Sequence, residues 1–202
     1  MQDKHIQTIL DFWFGPLENS TDYNQDKASM WFGNGAAYDE FIKDQFHSLH
    51  DQACAGELQH WQASAHGMLA LVLLFDQFSR HIYREQARSF AQDSDAIALV
   101  KQGIEQGIDK QLFFIQRKFF YMPLMHAEDL PTQELSITMF TQLHTDVPDD
   151  LKDMYANSLS FAQSHYYVIE KFGRFPELNE ILQRDSTHEE IEFLATGKYR
   201  FL

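Results

Sequence analysis

Eight apolar residues in succession, Met68 to Phe75, set the strongest constraint on what this chain can become. The run is far too short to cross a bilayer, so in a soluble chain it belongs at the centre of a core. Asp76 and Arg80 follow it directly. On a helix continuing from the run, their four-residue spacing puts a carboxylate and a guanidinium on one face, where they can pair. Charges that prolong a fully buried stretch must either reach the surface or be hydrogen-bonded inside. Residues 64–80 are therefore expected to form the central helix, with the candidate polar residues starting at its end.

The apolar periods elsewhere are helical too. Ile6, Ile9, Leu10, Trp13 and Phe14 predict a short helix over 3–14, stopped by Gly15-Pro16. After a polar loop, Met30-Trp31-Phe32 anchors the chain ahead of the turn Gly33-Asn34-Gly35. Tyr38, Phe41, Ile42, Phe46 and Leu49 predict a helix over 36–55 closed by Gly56. Asp93 or Ser94 is expected to cap a helix that runs to Gly107. Residues 112–125 form another, aromatic-rich helix that Pro123 should kink or interrupt, unless the carbonyl it leaves unpaired bonds elsewhere. Pro131 suits the first turn of a helix through His144, and Pro148 opens one that reaches Phe172 with Gly173 as its cap. A short helix over 177–183 and one over 187–196 complete the chain, the latter with Ser186 and Glu189 as a capping box.

No β-alternation appears, which makes the fold all-α. The helices pair into antiparallel hairpins near the period of tetratricopeptide arrays, although the residues of that repeat do not recur at regular intervals. The expectation is a tetratricopeptide-like, right-handed array of hairpins in one compact domain spanning 1–202.

With 18 Phe, 8 Tyr and 3 Trp among 202 residues, the core must be rich in aromatic packing. A formal net charge of −14 opposes phosphate backbones and anionic lipid, so neither nucleic acid nor a membrane is expected as a partner. Cys54 is the only cysteine. It permits no intrachain disulfide, and the first residues lack the layout of a signal peptide; both point to the cytoplasm. No base stands beside Cys54 in the sequence, so a thiol nucleophile is not expected. Hydrolase-elbow, Walker and dinucleotide glycine patterns are absent, and no cofactor is expected.

Several segments, in order, resemble a bacterial domain-of-unknown-function family, number 924, with a tetratricopeptide-like all-helical fold. They are Asp11-Phe12-Trp13-Phe14-Gly15, Leu74-Phe75-Asp76-Gln77-Phe78-Ser79-Arg80, Phe90-Ala91 with Asp93, residues Tyr121 to Asp129, and Phe172-Gly173-Arg174-Phe175-Pro176. Asn179, Leu182, Arg184, Ser186-Thr187 and Glu189-Glu190 continue the likeness over almost the whole chain. The sequence departs from the family pattern at Ser79 and His81, where the pattern has Pro and Asn, and at Glu177-Leu178, where it has a basic pair. The resemblance implies the fold and carries no activity.

Three groups of polar residues are candidates for a site. Asp76, Arg80 and Arg84 line one stripe, and an arginine pair there would clamp a carboxylate or phosphate, or serve as a structural ion pair. His126, Glu128, Asp129 and His165 offer imidazole and carboxylate groups. His126 and Asp129 share a face if the helix persists, and His165 lies among Phe161, Ile169 and Phe172, pointing inward, bonded to a carboxylate or carbonyl for which Glu128 or Asp129 could serve. No dedicated metal spacing such as H-E-x-x-H is present, and no metal is assigned. Arg174 would neutralise Asp129, cap carbonyls or face a ligand.

The leading reading is a binding module for a peptide, a protein or a small anionic ligand, held in a polar pocket built from these residues. The alternatives are a hydrolase or lyase with His126 or His165 as base, with or without a metal, and a purely structural polar core. An unpaired apolar patch would make the chain a homodimer.

Overall fold

The structure is a computed structural model that describes residues 4–197, and every regular element among them is helical. The chain divides into two compact units, residues 1–84 with 88–123 and residues 85–87 with 124–202.

The first unit holds α1 (Lys4–Phe14), α2 (Ala28–Phe32), α3 (Asp39–Cys54), α4, α5 (Asp93–Glu105) and most of α6 (Phe114–Met125). Helix α4 is continuous but changes character, with an α-helical stretch Ala65–Val72, a π-helical turn Leu73–Phe78 and an α-helical end Ser79–Ile82. Ser64 caps its start by accepting from the Gly67 amide at 3.1 Å. Every residue of the apolar run 68–75 is buried, packed against α1, α3 and α5. On α5, Gly103 permits this approach, because a Cβ there would lie 2.5 Å from the Phe120 ring and 2.8 Å from the Met68 sulfur.

The second unit is built on α7 (Leu130–Asp146) and α8 (Lys152–Phe172), two long helices packed along one another. Their short connection makes the pair antiparallel. Gly173 ends α8 at a φ of 69°, the left-handed conformation that glycine adopts without a steric cost. The last helix, α9 (His188–Ala195), is short.

Four local expectations are corrected. Neither Asp93 nor Ser94 caps α5; the helix starts at Asp93, after a Gln92 cap whose side chain makes no bond. Residues 177–183 make one 3-10 turn, Pro176–Leu178, followed by irregular turns. The capping box of α9 lies one residue later than expected, on Thr187 and Glu190, because Ser186 accepts from the Asn179 amide at 3.0 Å. Pro123 does not interrupt the helix, since α6 runs through it and ends two residues on. No helix among the described residues is long and apolar enough to cross a membrane.

Candidate functional site

Asp76 and Arg80 pair as their spacing predicts. The Asp76 carboxylate is fully buried, and Arg80 Nη1 reaches both its Oδ1 (3.1 Å) and the Asp76 carbonyl (2.7 Å). The π turn surrounds Asp76, and the Ser79 amide closes it on the Leu74 carbonyl five residues back. Such a turn widens the helix locally and is frequent at functional positions. Here it serves packing: Arg80 also grips Asp93 with two hydrogen bonds of 3.0 and 3.1 Å, tying α4 to the first turn of α5. Burial disfavours the Arg80 charge, but Asp76 and Asp93 outweigh it and hold the guanidinium charged.

Arg84 does not extend that stripe. It makes a two-point contact with Asp39 of α3, whose Oδ1 also takes a 2.7 Å bond from His81 Nδ1. A carboxylate only accepts, so Nδ1 carries the proton and the neutral His81 leaves Nε2 as an acceptor. Burial keeps the His81 pKa below its ordinary value despite the opposing pull of Asp39.

In the second unit, α6 ends at Met125, so His126 and Asp129 share no helix face. Asp129 is the cap of α7, accepting from the Thr132 amide at 3.0 Å. Glu128 is held by Arg184 through two bonds of 2.6 and 2.9 Å and by the Phe175 amide at 2.7 Å. Arg174 faces neither Asp129 nor solvent alone: it grips Glu190 at 2.7 and 2.9 Å and the Asp185 carbonyl at 2.8 Å. That hydrogen bonding, with help from the Thr187 amide, pulls the Glu190 carboxyl down to about 2.

His165 points inward and bonds a carbonyl, as one of the two expectations had it: that of Phe161 one turn back, 2.8 Å from Nδ1, with neither Glu128 nor Asp129 in that place. Its ring lies 6.1 Å from that of His126 and 5.5 Å from that of Phe175. Burial, with His126 nearby, pushes its pKa down to about 3, which makes it a weak base near neutrality. Phe161, expected on the apolar face, is over half exposed. Among the described residues no three His, Cys, Asp or Glu side chains are grouped to hold a metal ion. Cys54 has a base close by after all, with His50 Nδ1 3.7 Å from its sulfur, but burial raises the thiol pKa and leaves it unactivated.

One further place in the first unit was not singled out from the sequence. Lys118, on α6, holds its ammonium 4.3 Å from the centre of the Phe32 ring. Phe32 is stacked on buried Phe119 (6.1 Å between centres, 16° between planes), Trp31 leans on Phe119 at 5.0 Å, and Tyr23 meets Trp31 at 5.7 Å. Phe32 is itself 54% exposed, so these rings form an open aromatic platform. Lys118 is half-buried and has no carboxylate within ion-pairing reach among the described residues. Burial alone lowers its pKa to about 8. A lysine inside the run Phe113 to Tyr121 was the available sequence signal, because a charge amid so many aromatic residues needs a partner or an opening.

The structure thus assigns Asp76, Arg80 and Arg84 to the first unit and His126, Glu128, Asp129, His165 and Arg174 to the second. Comparison with known proteins bears on both. Residues 9–198 match a family described as bacterial protein of unknown function (DUF924). The structure is similar to that of a protein of unknown function, ATU0120, from Agrobacterium tumefaciens. The two share 33% identity at a TM-score of 0.79, covering 96% of this chain and 98% of that one. No curated protein matches.

Proposed function

Since the chain belongs to the bacterial family of unknown function DUF924, membership brings no activity with it, and we propose that the protein is a binding module for a small anionic ligand. The ligand sits on the first unit's aromatic platform, with a flat apolar body against Phe32 and Trp31 and its negative charge against Lys118. The observation that carries this reading is the half-buried Lys118 ammonium without a carboxylate partner among the described residues. The arginines that the sequence offered as anion clamps support it by elimination: Arg80, Arg84 and Arg174 already bind carboxylates with two-point geometry. A desolvated cation beside a ring has most to gain from an arriving anion, since their attraction is weakly screened there.

The tetratricopeptide-like arrangement belongs to the same proposal and is supported by the antiparallel α7–α8 hairpin. So does a cytoplasmic location, on the single cysteine of the chain. Thermal melting with benzoate, and with acetate as the control lacking a flat apolar body, tests the ligand class. Benzoate should raise the melting temperature of the wild type and not of Lys118→Met, the stabilisation reaching about 2.7 kcal/mol at one hundred times the dissociation constant. Equal shifts in both proteins, or equal shifts with both acids, refute it.

A further inference from the structure

We infer that Lys118 is a nucleophilic amine that condenses with the carbonyl group of a flat apolar compound, the resulting imine lying over the face of Phe32. The inference rests on the platform reading above and deepens it: a ligand that turns a carbonyl group rather than its negative charge toward Nζ reacts with the free amine instead of pairing with the ammonium.

A lysine forms an imine only through its unprotonated amine, so whatever stabilises the ammonium opposes the reaction. Several other lysines among the described residues are stabilised in that way. Lys171 pairs with Glu189 at 3.1 Å, Lys152 donates to the carbonyls of His144 and Thr145 at 2.6 and 2.8 Å, and Lys27 donates to the Phe12 carbonyl at 2.6 Å. Lys43 is exposed and solvated. Among the described residues Lys118 has the Phe32 ring alone, a far weaker holder of charge than a carboxylate. Its pKa of about 8 leaves about one amine in ten unprotonated at pH 7, against fewer than about one in a thousand for an ordinary lysine. The platform adds the second requirement. Stacking a flat carbonyl compound on the exposed Phe32 ring brings its carbonyl carbon to the amine that lies over the same ring.

The step balances without an oxidant or reductant. The Nζ lone pair forms a bond to the carbonyl carbon while the C=O π pair moves to oxygen. The proton that nitrogen loses is matched by the one that oxygen gains. The nitrogen lone pair of the carbinolamine then forms the C=N bond as the C–O bond breaks, and the departing hydroxyl takes the second N–H proton to leave as water.

The experiment treats the full chain at pH 7 with 4-formylbenzoate, reduces any imine with borohydride and locates the adduct by peptide mass mapping. Lys118 should be labelled at least ten-fold more than Lys43 or Lys171, and Lys118→Arg, which keeps the charge but forms no such imine, should lose that adduct and still be stabilised by benzoate. Label spread evenly over the lysines, or absent from Lys118, overturns the inference. If benzoate stabilises the wild type while Lys118 stays unlabelled, the binding reading stands and the imine falls; if neither occurs, both fall.

Discussion

In the second unit Arg174 and Arg184 each meet a carboxylate in two-point contact, whereas in the first unit Lys118 rests on a phenyl ring with none. The chain has 30 acidic residues against 16 basic ones, so the difference is not a shortage of anions. Arg184 and Glu128 fasten the Phe175 segment by also engaging its backbone at both ends. Arg174 and Glu190 fasten the start of α9. A paired cation with both forks occupied is part of the framework. One left half-buried without a carboxylate contributes nothing comparable to the framework, and that is the expectation for a group that meets a ligand.

The comparison can be broken by removing charges and asking which losses unfold the protein. The largest loss is expected in the first unit's own framework, at Asp76. Its carboxylate is fully buried, and Asp76→Ala removes one of the two carboxylates that hold the Arg80 guanidinium. Stability measured by urea titration should fall by about 3–5 kcal/mol. Next comes Glu190→Gln, which weakens the grip of Arg174 and the capping box together, at about 2–3 kcal/mol. A change under about 0.5 kcal/mol at either site would mean that two-point pairing is no guide to structural weight here.

The sequence made some of this legible and hid the rest for definite reasons. The buried run 68–75, Pro131 and the left-handed Gly173 rest on local rules and appear where those rules put them. The π turn around Asp76 leaves no periodic trace, because it begins within a run that is apolar on every face and so has no period to shift. The capping box of α9 had two equivalent spellings, Ser186 with Glu189 and Thr187 with Glu190. Arg174 and Asn179, neither of them in that helix, favour the second by bonding Glu190. Asp39 is 45 residues from Arg84 and 42 from His81, so no spacing rule could join them. Lys118 was in plain view, but helical periodicity says which face a residue occupies and not whether its charge finds a partner.

Acidification separates two groups of the second unit by pH. The folded pKa of His165, about 3, lies below its unfolded value of 6.5, so between those values the unfolded chain binds the proton that the fold refuses. Stability is therefore complete above pH 6.5 and is lost as pH falls toward 3, with a slope of up to about 1.4 kcal/mol per pH unit from this one group. Glu190, at about 2 against 4.5, adds its loss only below pH 4.5, as its carboxylate takes up a proton and releases Arg174. His165→Leu should flatten the urea-stability profile between pH 6.5 and 4.5 and leave the lower limb, while Glu190→Gln should do the reverse. An unchanged upper limb in His165→Leu would mean that the imidazole is charged in the folded protein.

The smallest effect is the one that sharpens the comparison most. Lys118→Met removes a cation that has no carboxylate partner and replaces it by a side chain able to lie on Phe32. The lost cation–π contact is about 0.5–1 kcal/mol at a partly exposed position. It is offset by relief of the desolvation that lowers the Lys118 pKa, and the methionine sulfur packs well on an aromatic ring. The net change in urea stability should stay within about 0.5 kcal/mol, with either sign. A loss above about 2 kcal/mol would make Lys118 part of the framework like Arg174, and the distinction between the two regions would collapse. A neutral result has the opposite meaning: a half-buried charge that folding does not need is tolerated because something other than folding uses it.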